Sequence, residues 1–99
     1  MAPVVVDDPE HQRLLVERDD GAAELDYERD GDRFVVIHTG VPESARGEGL
    51  GGVLVRAAVE RAAAEGLTLV PLCPYARRWL REHGDVASTV AIDWTWRGG

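Results

Sequence analysis

The chain has 99 residues, enough for one compact domain with a single core and too few for two. Its hydrophobic fraction of 44% and charged fraction of 29% exclude collagen-like, coiled-coil and wholly disordered chains. Eighteen acidic residues against eleven basic ones give a net charge of −7, and the basic residues form no stripe, so we expect no nucleic-acid partner. No apolar run approaches the roughly 20 residues that cross a bilayer. With no signal-like N-terminus, we expect a cytoplasmic protein without a membrane partner.

Two gaps in the composition limit the chemistry. Every basic residue apart from the histidines is an arginine, so no lysine can form a Schiff base or accept an acyl group. The lone cysteine, Cys73, can form no internal disulfide and lacks the paired spacing of a zinc site. We therefore expect a reducing compartment and no metal.

The first half of the chain has the pattern of an antiparallel meander. Residues 1–10 form an acidic lead-in, with a brief edge strand predicted at 4–6. Three runs rich in branched and aromatic residues follow, separated by clusters of aspartate and glycine that indicate turns, at 13–17, 22–28 and 33–39. In the second run, apolar residues at 23, 25 and 27 alternate with acidic residues, so one face of the sheet is expected to contact water.

In the second half of the chain, the spacing of apolar residues changes from the alternation of strands to the period of a helix. Residues 51–65 carry a helical apolar stripe that ends before Gly66, residues 67–72 form a short apolar strand, and Pro74 is placed to start a second helix. The segment 86–99 is a C-terminal extension of uncertain structure, in which Val90, Ile92, Trp94 and Trp96 alternate as one apolar strand face. That face is expected to complete the core; covering an acceptor groove or mediating a weak homodimer are the alternatives to a packed monomer. The pattern predicts one α+β domain over residues 1–99, with a mixed, mostly antiparallel sheet and two helices.

The stretch 41–52 is the most informative part of the chain. It carries glycines at 47, 49, 51 and 52 between a strand and a helix. Such a loop brings backbone N–H groups and the positive end of the helix dipole to one point, and Arg46 adds a fixed charge. These features predict a site for a pyrophosphate. The alternative is that the glycines serve only a tight turn and close helix packing.

The spacing narrows the nucleotide class. A P-loop needs a lysine, and a Rossmann turn follows the first strand of a parallel unit, whereas this loop follows a meander. What remains is R-x-x-G-x-G, met by Arg46, Gly49 and Gly51, which resembles the pyrophosphate motif of the GNAT acetyltransferase superfamily. Together with the blocks Ile37-His38-Thr39-x-Val41-Pro42 and Val70-Pro71-Leu72-Cys73-Pro74-Tyr75, it resembles the small YjdJ-type GNAT-like proteins over about residues 13–83.

The resemblance implies a GNAT-like, acyl-CoA N-acyltransferase fold and an acetyl-CoA-dependent N-acetyltransferase. Acetyl coenzyme A would be the cosubstrate, with its pantetheine arm in a gap between two diverging strands, and an unknown primary amine of a small molecule or peptide would be the acceptor. By the same resemblance, the coenzyme-binding residues would be Val41, Arg46, Gly47, Gly49, Leu50, Gly51 and Gly52. The alternatives are a coenzyme-A-binding or acyl-CoA-sensing module without turnover and a small interaction domain that uses Trp94 and Trp96.

Two residues flank the implied gap and are the catalytic candidates. His38 is a candidate general base because imidazole is the side chain that exchanges protons most readily near neutral pH, and the alternative is a strand histidine that bonds the following loop. Cys73 could carry acetyl as a thioester or protonate the departing thiolate, and its alternative is a small inert core residue. Tyr75 is a weaker candidate for the same protonation.

Overall fold

The computed structural model describes residues 3–97. Its five strands lie in one sheet in chain order. The first helix connects the fourth and fifth strands, and two more helices follow the fifth strand. The elements are β1 Val6–Asp8, β2 Arg13–Val16, β3 Ala23–Asp30, β4 Arg33–Gly40, α1 Leu50–Ala64, β5 Thr68–Pro71, α2 Pro74–Glu82 and α3 Gly84–Ala87. A single 3₁₀ turn, Glu43–Ala45, precedes α1. No helix in the part of the chain described is long and apolar enough to span a membrane.

The predicted meander is confirmed. Strands β1 to β4 pair antiparallel, and turns with positive φ at Gly21 and Gly31 connect β2 to β3 and β3 to β4. The edge strand lies at 6–8 rather than at 4–6 as predicted. In β3 the residues at 23, 25 and 27 are buried and those between them are more exposed, as the alternation predicted.

The core lies between one face of the sheet and the helices. Strand β5 pairs parallel to β4, and α1 makes the connection while packing on β2, β3, β4 and β5. Its buried residues include Leu54, Ala58 and Ala62, from the predicted stripe, and they face Leu25 and Phe34 of the sheet within the same core cluster. The sheet is therefore mixed and mostly antiparallel, as predicted.

Helices α1 and α2 approach each other very closely at the start of α1. A Cβ at Gly51 would lie 2.6 Å from Tyr75 Oη, and a Cβ at Gly52 would lie 2.5 Å from Trp79 Nε1. Both distances are far below van der Waals contact, so a side chain at either position would displace the ring of Tyr75 or of Trp79. These two glycines therefore serve helix packing, whereas Gly47 and Gly49 have φ of 91° and 78° and serve the turn itself.

The prediction of a last strand and of only two helices is wrong in part. Residues 84–87 form the short third helix, and the alternating segment after it makes a single parallel bridge, between Leu69 and Ile92. Asp93 Oδ1 then accepts hydrogen bonds from the backbone N–H groups of Thr95 and Trp96, at 2.9 and 3.1 Å. This Asx turn bends the chain before a strand can extend.

A β-bulge interrupts β4 at Ile37. Tyr27 of β3 is opposite Val36 and Asp26 is opposite His38, so Ile37 has no partner. Residues after the bulge therefore change faces: His38 shares the outer face with Asp26, and Thr39 shares the helix-covered face with Leu25. Pairing between β4 and β5 stops at the same level, at Val36 and Pro71.

Candidate functional site

A cleft of about 680 Å³ opens where β4 and β5 part. The Val36 carbonyl accepts the N–H groups of Leu72 and Cys73, at 3.0 and 3.1 Å, and closes the ladder there. Beyond Val36, β4 continues along β3, while the segment that follows β5 turns away into α2. The lining of the cleft comes from the end of β4, the following loop, the start of α1 and one residue of α2: His38, Thr39, Gly40, Val41, Ala45, Arg46, Gly47, Gly49, Leu50, Gly51 and Tyr75.

The loop at one end of the cleft exposes a row of unpaired backbone donors. Within residues 3–97, no acceptor lies within hydrogen-bond range of the N–H groups of Gly47, Gly49, Leu50, Gly51 or Gly52. By contrast, Arg46 and Glu48 donate their N–H groups to Glu43 and Ala45 within the turn. Since the first N–H groups of a helix point out of its N-terminus, this end of α1 presents donors and positive potential to the cleft.

Arg46 adds a full charge to the same end. It is exposed, it lines the cleft, and it forms no ion pair with a carboxylate of the described residues. A guanidinium without a carboxylate partner is available for an anion. The residues present thus fit a diphosphate: free amides, a fixed cation and room for the group.

His38 lies at the other end of the cleft, on the outer face of the sheet. Its cross-strand partner there is Asp26, and Glu24 is the next residue of β3 on that face. Hydrogen bonding with Asp26, together with burial, raises the pKa of Glu24 above its ordinary value, and the nearby His38 opposes that rise. The histidine therefore shares its face of the sheet with two carboxylates and with Arg13, which lies opposite Asp26 on β2 and offsets part of their charge.

Cys73 lies on the opposite face and does not line the cleft. The residue is 4% exposed, and its thiol donates to Thr39 Oγ1 at 3.7 Å. Because Thr39 does line the cleft, the thiol is one side chain away from it. The structure thus separates the two catalytic candidates, which the sequence placed on either side of one gap, onto different faces of the sheet.

The other predicted residues divide in a simple way. Val41, Arg46, Gly47, Gly49, Leu50 and Gly51 lie together in the cleft wall, and Gly52 lies behind it, against Trp79. Tyr75 also lines the cleft, beside Gly51, and burial raises the pKa of its hydroxyl above the ordinary 10.0. Tyr75, predicted from the sequence as a weaker candidate, reaches the cleft wall because the glycine at 51 leaves room for its ring.

Comparisons with known proteins agree with this geometry. A family model described as GCN5-related N-acetyl-transferase matches residues 13–89. Among solved structures, the NMR solution structure of a GCN5-like protein from Staphylococcus aureus superposes with a TM-score of 0.71 at 22% identity, over 93% of this chain and 91% of that one. No curated protein matches significantly.

The parted strands, the glycine loop and the helix behind it define the fold of an N-acetyltransferase. The chain belongs to the GCN5-related N-acetyl-transferase family, as the resemblance of its motifs predicted. The assignment to the YjdJ-type subgroup stays a prediction.

Proposed function

We propose that this protein transfers acetyl from acetyl coenzyme A to a primary amine. The observation that carries the proposal is a group of backbone N–H donors with no acceptor among residues 3–97, at the mouth of a cleft formed by two parting strands: those of Gly47, Gly49, Leu50 and Gly51. The family match supports the same reaction class. The acceptor amine belongs to a small molecule or to a peptide.

The coenzyme's diphosphate is assigned to the loop and its thioester arm to the gap. The free amides and Arg46 would hold the phosphate oxygens. The N–H of Val41, which has no acceptor among residues 3–97, is placed to donate to the thioester oxygen as negative charge develops on it. In this proposal Val41 and the loop align the arm along β4.

The acceptor amine is assigned to the outer face. It must lose a proton to attack, and His38 is the base beside the gap, directly or through a water. Glu24 and Asp26 next to it would draw a cationic amine toward that face. Attack on the thioester carbon by the neutral amine forms the new C–N bond and breaks the C–S bond.

The departing thiolate needs a proton, and two groups are close enough to the cleft to be considered. The raised pKa of Tyr75 keeps its hydroxyl protonated at neutral pH, and that hydroxyl lies in the cleft wall. Cys73 is buried behind Thr39, which favours direct transfer over an acetyl-cysteine intermediate. We therefore assign the proton to Tyr75 and a supporting role to the thiol.

Calorimetric titration with acetyl coenzyme A tests the binding step. The wild-type chain is expected to bind, and Arg46→Ala to bind roughly tenfold or more weakly, because it removes a charge-assisted contact to phosphate. Arg29→Ala is the matched control, since Arg29 pairs with Glu65 away from the cleft. Equal affinity in wild type and Arg46→Ala would remove Arg46 from the site, and absence of binding by the wild type would overturn the proposal.

A transfer assay across pools of amines separates turnover from sensing. Release of free coenzyme A with an acetylated product is expected, with kcat reduced in His38→Gln and in Tyr75→Phe while the affinity for acetyl coenzyme A is kept. A chain that binds the coenzyme and releases no product would instead be the sensing module. A hydroxylamine-sensitive acetyl adduct on Cys73 would replace direct transfer by the covalent route.

A further inference from the structure

The glycine loop carries a charge of the wrong sign for its proposed ligand. Glu48 lies between Gly47 and Gly49, two residues of the cleft wall, and consecutive Cα atoms are only 3.8 Å apart. Its carboxylate is therefore within about one Debye length of a diphosphate bound there. Left alone, it would repel the ligand.

Arg18, in the turn between β2 and β3, meets that carboxylate in a two-pronged contact. Its Nη1 and Nη2 donate to Glu48 Oε1 and Oε2, at 2.5 and 3.1 Å. Glu48 does not line the cleft; together with Arg18 it lines a separate groove beside it. The side chain is thus held on the far side of the loop.

The same arginine belongs to a chain of contacts that reaches the start of the loop. Arg18 Nε donates to Asp20 Oδ1 at 3.1 Å, and Ser44 Oγ donates to Asp20 Oδ2 at 2.7 Å. Arg18 therefore contacts the carboxylates of both Asp20 and Glu48. Glu48 belongs to the glycine loop, and Asp20 is bonded to Ser44, which precedes that loop. We call Arg18, Asp20, Ser44 and Glu48 the loop clamp.

We infer that Arg18 sets the affinity for the coenzyme by neutralising Glu48 beside the diphosphate site. Arg18 is a positioning residue that touches no substrate, and the inference rests on the proposed function. In a purely structural role, Arg18 would act through its two-pronged contact with Glu48. In the role inferred here, the affinity depends on the charges of residues 18 and 48, and the two-pronged geometry is secondary.

Four variants of the full chain distinguish the two roles by calorimetric titration with coenzyme A at low salt. Arg18→Met is expected to weaken binding roughly five- to tenfold, the effect of one uncompensated carboxylate on two phosphate charges in water. Glu48→Gln is expected to bind as well as wild type or more tightly. The double variant should recover wild-type affinity, and Arg18→Lys, which keeps the charge and loses the fork, should stay within about twofold.

A structural clamp gives the opposite pattern, because Glu48→Gln and Arg18→Lys break the same fork and would then weaken binding too. That outcome, or a double variant as weak as Arg18→Met, overturns the inference and leaves the proposed function intact. The loss in Arg18→Met should also shrink at 0.5 M salt, and its persistence there counts against a charge effect. If wild type binds no coenzyme A, the proposed function fails and the inference fails with it. Because Arg18 and Glu48 are both exposed, the wild type and the four variants should have the same unfolding midpoint by circular dichroism.

Discussion

At the scale of single residues, the four glycines of the loop have two different tasks. Gly47 and Gly49 allow backbone angles that side chains resist, while Gly51 and Gly52 leave room for Tyr75 and Trp79 of α2. The sequence predicted a ligand-binding loop, with a tight turn and close helix packing as the alternative role of the glycines. The structure shows that half of the motif is also required for packing.

Replacing Gly52 by alanine should destabilise the fold. The new methyl carbon would lie 2.5 Å from Trp79 Nε1, so α2 must shift, and we expect a loss of about 1–3 kcal/mol in the free energy of unfolding. The helix propensity of alanine offsets no more than about 1 kcal/mol of it. Gly84→Ala is the control, since a Cβ there meets no atom within 4 Å. Urea unfolding of both variants measures the difference, and equal stability would show that α2 yields easily.

Glu24 should make stability depend on pH. Its pKa is raised in the folded state by Asp26 and by burial, so its contribution is favourable below its ordinary pKa of 4.5 and is lost as the pH rises through the folded value. Glu24→Gln is therefore expected to raise the melting temperature at pH 7, and the gain should fade as the pH drops below 4.5. Glu28→Gln, on the same strand but exposed, controls for the change in net charge. A gain that is the same at pH 7 and pH 4 would contradict the assignment.

At the scale of elements, the C-terminal segment acts as a cover for the edge of β5. Leu69 donates its N–H to Ala91 and accepts from Asp93, at 2.8 and 2.9 Å. Arg77 ties this segment down, because its Nη1 donates to the carbonyls of Pro71 and Trp94, both at 3.1 Å. Covering an edge in this way prevents pairing with another chain.

Arg77→Met should loosen this cover. Loss of two charge-assisted contacts is expected to lower the free energy of unfolding by about 1–3 kcal/mol and to speed hydrogen exchange at the amides of Leu69 and Asp93. Arg78→Met is the matched control on the same helix, since the Arg78 guanidinium lies 6.0 Å from the centre of the Tyr75 ring and forms no hydrogen bond or ion pair within residues 3–97. Unchanged exchange in Arg77→Met would mean that the Trp94 ring, which lies under Arg81 as well, is sufficient.

The elements show why part of the fold could be predicted from sequence. Strands β2, β3 and β4 and helix α1 agree with their predicted ranges to within two residues, because aspartate–glycine turns and Gly66 mark their ends. The last predicted strand failed because alternation does not reveal that Asp93 bonds the backbone ahead of it. The bulge left no trace either, since residues 34–37 are all apolar and their pattern does not distinguish the two registers.

The candidate site was predictable to a similar extent. Local sequence placed Arg46 and the glycines on one loop, and the structure keeps all but Gly52 in the cleft wall. Which face His38 and Cys73 occupy depends on the count of paired residues in β4, and the approach of Tyr75 depends on a helix–helix distance. Both are properties of tertiary structure.

At the scale of the whole molecule, the cleft lies between parts that the coenzyme would hold together. The loop, the gap and α2 are joined to one core, so a ligand that bridges them favours the folded state. A saturating level of acetyl coenzyme A, at 100 times its Kd, is expected to add about 2.7 kcal/mol to the free energy of unfolding. The rise in melting temperature should be several degrees in the wild type and, at the same ligand concentration, smaller in Arg46→Ala. Identical shifts in both chains would indicate a ligand bound elsewhere.

The unpaired Ile37 determines which face of the sheet the residues after it occupy. This effect depends on the additional residue in the strand and does not depend on the isoleucine side chain. Strand side chains alternate with a period of two, so one additional position reverses the parity of everything that follows it. Exchanging Ile37 for valine or threonine keeps that parity. If Ile37 instead paired with Asp26 in regular alternation, His38 would turn inward and Thr39 outward, so that the imidazole and the hydroxyl that accepts from the Cys73 thiol would exchange sides of the sheet.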